Sequence, residues 1–255
     1  MPKCVLSKLG VFVLILAATG TLAGVAGACN NTRTNDHQHY FAGNGYPVVQ
    51  GTVCVFGSDA FIYVTNPSVL APDWSYWSES SAWTGLQFNA ADGSSILAQT
   101  GWYKRYNGSR ENWVGFNTGG YNFGETDWTA PAIGTEPEYR VTYTYANHTF
   151  HYFYNGANRY NVQYPTQPGC DYHTSAENLG EINTLHNQMP GTQGNMQQFD
   201  DEEVANNGLN WSYPTGPSNW NPYNSDNTHF YLAQGSVSIG GFTAEYANIY
   251  DKCNG

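Results

Sequence analysis

The stretch YRVTYTYANHTFHYFYNGANRYNVQY, residues 139–164, decides the fold. Tyr139, Val141, Tyr143 and Tyr145 alternate with polar partners, and then Thr149 to Tyr154 and Asn158 to Tyr164 flank Asn155-Gly156. A period of two lines one face of a strand with apolar side chains. Asn-Gly between two such runs marks a hairpin, because both turn positions need positive φ and these residue types accept it most readily. The stretch predicts a three-stranded antiparallel meander.

Working outward, Thr52 to Phe56, Ala60 to Thr65, Ala82 to Phe88, Ile96 to Tyr103 and Asn112 to Phe116 read as further short strands, separated by Gly, Asn, Asp and Ser clusters. Phe230 to Leu232, Ser236 to Ile239 and Thr243 to Tyr250 repeat the pattern near the C-terminus. Only Asp200 to Asn206 reads as a short turn of helix, and residues 206–228, rich in Asn, Pro, Ser and Trp, read as a long loop. Many short strands with turn chemistry between them predict an all-β chain, a two-sheet antiparallel sandwich forming one domain over residues 29–255.

Composition removes several function classes. Nine Lys+Arg against 20 Asp+Glu, with only four lysines, cannot supply a phosphate-neutralising surface, so a nucleic-acid partner is excluded. Charged residues at 11% and aromatics at 16% describe a chain that packs.

Residues 1–28 have the layout of a secretory signal peptide: Lys3 and Lys8, the apolar run Val11 to Ala18, and small residues ending Ala26-Gly27-Ala28. The mature chain is expected to be secreted and monomeric. No later run approaches the roughly 18 apolar residues of a membrane span. Cys29 follows the cleavage-like site directly, which raises lipidation as an alternative, but Ala26 stands where a lipoprotein signal wants Leu. Cys29, Cys54, Cys170 and Cys253 are an even set in an exported chain and predict up to two disulfides, with three connectivities open. No two of them have chelating spacing, and His37 with His39 is too little for a site, so neither metal nor cofactor is expected. Asn30, Asn107, Asn147 and Asn210 open glycosylation sequons.

Composition alone does not choose a chemistry. There is no Gly-x-Ser-x-Gly elbow for a serine nucleophile. Two segments discriminate better. Ser81-Ala82-Trp83-Thr84-Gly85-Leu86 precedes Ile96-Leu97-Ala98-Gln99-Thr100-Gly101-Trp102, and Cys170 precedes Ala176-Glu177-Asn178-Leu179-Gly180-Glu181-Ile182. In order and spacing these resemble the glutamic peptidases called eqolisins, whose catalytic Gln lies in an Ile-Leu-Gln-Thr-Gly strand. Gly180-Glu181-Ile182 ahead of Gln188-Met189-Pro190-Gly191 is also similar to the neprosin family. The resemblance implies a concanavalin-like jelly roll, activity in acid, a polypeptide substrate, Gln99 and Glu181 as the catalytic pair, and Trp83 as a cleft residue. Glu177, in the same motif, is the alternative acid. The chain departs from the eqolisin pattern at Gln87 and Tyr103, where acids are expected, and at Ala98, which intrudes before Gln99.

The chemistry of such a pair is coherent. A carboxylate in a partly desolvated cleft takes a proton from an attacking water, and a neutral amide donates to the oxyanion that forms. Strand alternation puts Gln99 and Gly101 on one face. The competing reading is a non-catalytic, lectin-like sandwich stacking polysaccharide rings on a line of exposed Tyr and Trp.

Overall fold

A computed structural model describes residues 38–47, 55–70, 78–89, 95–117, 123–164, 175–183, 187–206, 209–212, 221–239 and 242–252. The signal-like segment, His37, Asn30 and all five cysteines lie outside these residues. The expected disulfides are withdrawn, since no disulfide bond is found.

Two antiparallel sheets form a sandwich. The first is ordered β14 (Asn221–Asn224), β1 (Tyr40–Pro47), β10 (Ser175–Ile182), β3 (Glu79–Asn89), β4 (Ser95–Arg105), β5 (Arg110–Asn117) and β6 (Phe123–Trp128). The second is ordered β15 (Phe230–Ile239), β16 (Phe242–Asp251), β12 (Asn195–Ala205), β2 (Gly57–Ile62), β7 (Glu138–Thr144), β8 (Thr149–Tyr154) and β9 (Ala157–Gln163). Two-residue strands β11 (Gly191–Thr192) and β13 (Trp211–Ser212) pair with β12. The all-β sandwich expected from the periodicity is the fold observed. Among the described residues, no helix is long and apolar enough to cross a membrane.

The meander is β7, β8 and β9, in that order of pairing. Its turn residues Asn155 and Gly156 have φ of 49° and 73°, the conformation an Asn-Gly hairpin demands. The strand reading of Tyr145 was one residue too long, since Tyr145–Asn147 is a 3₁₀ turn. The helix expected at Asp200 to Asn206 is instead the end of β12. Pairing with β2 on one side satisfies its backbone, with a register shift between Asp200 and Glu203 and Asp201 at φ 51°. The 206–228 loop also holds β13 and β14, strands too short and polar to show a period.

Facing sides of the two sheets bury two apolar clusters. One gathers Leu86, Phe88, Val141, Tyr143, Phe150 and Tyr152, the other Ile62, Trp102, Tyr139, Phe199, Phe230 and Ile249. Polar contacts tie the sheets together inside this core: the Ser58 and Thr84 hydroxyls meet at 2.7 Å, and Asn44 Nδ2 donates to Glu202 Oε2 at 2.7 Å. Tyr139 O–H also donates to Asn112 Oδ1 across the gap.

The outer face of the second sheet makes stability pH-dependent. Buried Asp59 accepts two hydrogen bonds from Arg140, yet burial outweighs that pull and, with Glu138 and Glu203 nearby, pushes its pKa up to about 7. Glu136 is likewise raised to about 7, by burial and then by its hydrogen bond to Asp200 and the charges of Asp200 and Asp201. A carboxyl with a raised folded-state pKa holds a proton that the unfolded chain releases, so stability falls as pH climbs from about 4 to about 7. For Asp59 the full swing is at most about 4 kcal/mol. Calorimetry should therefore give a lower Tm at pH 7 than at pH 4, and a smaller difference in Asp59→Asn. A Tm that rises with pH over that range contradicts the assignment.

Candidate active site

Strand pairing arranges the outer face of the first sheet in rows. One row reads Gly45, Glu177, Gly85, Gln99, Gly115 from β1 to β5. The next reads Gly43, Leu179, Trp83, Gly101, Trp113, and the third Phe41, Glu181, Ser81, Tyr103, Glu111. In the first row, two functional side chains alternate with glycines. The row is a slot in which Glu177 and Gln99 face each other over Gly85, with Cα atoms about 10 Å apart from the strand spacing.

Gln99 is 4% exposed, and its Oε1 has no hydrogen-bond partner. Buried amide oxygens are rarely left so, which marks a strained or ligand-directed group. A Cβ added to Gly85 would stand 3.1 Å from Gln99 Cβ, 3.2 Å from Trp83 Cζ3 and 2.9 Å from the Ala98 carbonyl, so a side chain at position 85 would crowd Gln99, Trp83 and the neighbouring strand. Glu177 Oε1 accepts from Ser175 Oγ at 2.9 Å. Burial raises the Glu177 pKa, Ser175 opposes, and the charge of Glu181 raises it further.

Glu181 occupies a different place. It is two strands and four residues from Gln99, about 16 Å between Cα atoms by strand rise and spacing. Its Oε2 accepts from Trp83 Nε1 at 2.8 Å, and its Oε1 lies 2.5 Å from His39 Nδ1. Both glutamates point to the same face because they are four apart on one strand. Trp83, 2% exposed, packs with Leu179, Tyr103 and Trp113 in a third apolar cluster on this outer face. The motifs singled out Gln99, Trp83 and both acids; the strand register places all four on the outer face of one sheet and brings together Gln99, Gly85 and Glu177. The sequence reading weighed His39 only as a metal ligand, because nothing local connects it with Glu181, 142 residues away.

At the departures from the eqolisin pattern, Tyr103 O–H donates to Glu111 at 3.2 Å and Gln87 Nε2 donates to Ser95 Oγ at 3.0 Å. Among the described residues no group of three or more His, Cys, Asp or Glu is arranged to hold a metal ion. The slot offers a carboxyl and an amide, a set suited to moving a proton and stabilising an oxyanion.

The chain is thus an antiparallel two-sheet sandwich that carries an amide and a carboxyl in one row of its outer face. Among solved structures, the chain is similar to scytalido-glutamic peptidase with a transition state analog inhibitor, at 14% identity and TM-score 0.51, covering 81% of this chain and 97% of that one. The same peptidase with a peptide based transition state analog matches at 15% identity and TM-score 0.49, covering 80% and 97%. SCP-B, a member of the eqolisin family, in complex with a tripeptide, matches at 15% identity and TM-score 0.46, with the same shares. The structural neighbours expected from the motifs are among those found. No protein-family description and no curated sequence matches the chain.

Proposed function

We propose that this chain is a secreted endopeptidase of the glutamic type, working in acid on polypeptide, with Gln99 and Glu177 as its catalytic pair and no metal or cofactor. The observation that carries the reading is the row Glu177, Gly85, Gln99, whose two side chains share a face with only a glycine between them. Glu177, as carboxylate, takes a proton from water as the water oxygen attacks the peptide carbonyl. Gln99 Nε2–H donates to the resulting oxyanion. Glu177 then hands its proton to the leaving amine and returns to the carboxylate form. Glu177 replaces Glu181 in this role because Glu181 is engaged with Trp83 and His39 two rows away.

The raised pKa of Glu177 gives a sign to the pH dependence. A base must be ionised, so activity should rise through a pH above the ordinary carboxylate value of 4.5. That favours a mildly acidic optimum over a strongly acidic one. The outer-face aromatics Trp83, Tyr103 and Trp113 are at most 4% exposed, and Tyr223, opposite Gly43 on the edge strand, is 50% exposed, so these four do not form the line of exposed rings that sugar stacking needs.

The test is incubation of the purified mature chain with a denatured protein from strongly acidic to neutral pH. Cleavage with an optimum in mild acid, lost in Gln99→Ala, supports the reading. No cleavage at any pH overturns it and turns attention to polysaccharide binding.

A further inference from the structure

Glu181 is left over once Glu177 fills the base role, although it is 12% exposed and bonded on both oxygens. The Trp83 indole runs along its strand between two rows. Its N–H reaches Glu181 at one end, and Cζ3 of its six-membered ring lies 3.2 Å from where a Gly85 Cβ would stand at the other. That second end borders the space between Glu177 and Gln99. His39, whose side chain is 58% exposed, closes the first end by bonding the other carboxylate oxygen, and its ring stacks on Phe41 at 6.2 Å.

We infer that Glu181 and His39 are positioning residues: the carboxylate, clamped by His39, holds the Trp83 indole against Gly85 and so sets the wall of the slot between Glu177 and Gln99. The inference rests on the peptidase reading for its catalytic consequence, but the clamp itself does not. An indole N–H tied to a charged acceptor has one orientation, whereas a ring held only by the packing of Leu179, Tyr103 and Trp113 can shift by a fraction of an ångström towards Gly85. A small tilt there displaces water or substrate from between the two catalytic groups, and misplacements of about 1 Å cost on the order of 100-fold in rate.

The clamp is also sensitive to pH. The charged groups facing His39 are Glu181 on β10 and Glu79 on β3; the hydrogen bond to Glu181 raises the His39 pKa, burial opposes, and the charges of Glu181 and Glu79 add to the rise. His39 therefore stays cationic through the acid range and loses its charge only above the ordinary imidazole value of 6.5. With Glu181 ionised, the clamp is complete below the His39 pKa and loosens as pH rises through it, giving activity an upper limb beside the lower limb set by Glu177.

Five variants and one spectrum test this. Glu181→Gln keeps an acceptor for the Trp83 N–H and should lose no more than about tenfold in kcat, while Glu181→Leu, which keeps none, should lose about 100-fold with KM little changed. Equal losses in Glu181→Gln and Glu177→Gln would make Glu181 the base and overturn the inference. His39→Gln should abolish the upper limb of the pH profile; an unchanged profile overturns it. The ¹⁵N-labelled indole resonance of Trp83, assigned from Trp83→Phe, should titrate above pH 6.5 in the unaltered protein and stay flat in His39→Gln. That spectrum needs no turnover, so the clamp is tested even if the chain cleaves nothing. A Trp83 resonance that titrates identically in both proteins overturns it.

Discussion

Glu177→Gln is expected to lower kcat by about 10²- to 10⁴-fold, the range over which a positioned general base contributes. The substitution is nearly isosteric, and Gln can still bond Ser175 Oγ, so the fold should be retained and the loss should be chemical. Gln99→Ala is expected to cost about 10²- to 10³-fold, because the donor it removes acts mainly on the oxyanion of the transition state. Single-turnover cleavage of a peptide by each purified variant, with circular dichroism as a check on folding, measures both. If Glu177→Gln cleaves as fast as the unaltered protein, the pair is misassigned.

The second large effect is on stability. Gly101 follows Gln99 by two residues in the next row, opposite Trp83. A Cβ there would lie 2.0 Å from the Ala82 carbonyl oxygen and 2.6 Å from Trp83 Cα, so Gly101→Ala must push two paired strands apart. Backbone cannot yield as a flexible side chain does, and overpacking of this kind costs about 3 kcal/mol or more. For a domain of this size that lowers Tm by about 10 °C. Gly194→Ala is the control, since nothing lies within 4 Å of an added Cβ there and Tm should hardly move. Equal Tm values for the two variants would show that the strands can separate at little cost.

Both expectations involve residues that stood out in the sequence, but for different reasons. The close approach at Gly101 belongs to β3 and β4, consecutive strands whose pairing follows from a short connection and matching alternation. The opposition of Glu177 to Gln99 needs β10 beside β3, and these are far apart in the chain. A likeness of motifs singled out both Glu177 and Glu181, and a period of two cannot separate them, since residues four apart share a face. A four-residue difference in register moves a carboxylate by about 13 Å along the strand.

The helix expected at Asp200 to Asn206 shows the same limit from another side. Its acidic, locally ambiguous residues carry no apolar period, so their conformation is set by whatever backbone lies alongside. There β2 supplies the hydrogen bonds, and the irregularity around Asp201 goes with a bulge rather than a turn of helix. The local pattern gave no hint of the neighbour.

What the sequence by itself determined is the part governed by local period and turn chemistry: an all-β chain, the meander closed by Asn155-Gly156, the shared face of Gln99 and Gly101, and an acidic, lysine-poor composition. Tertiary structure alone decided which glutamate stands level with Gln99, that Glu181 is bonded to Trp83 and His39, and that Gly85 lies between Glu177 and Gln99. The physical reason is that strand register between distant segments is fixed by the packing of the whole sandwich, where side chains from both sheets must interlock at once.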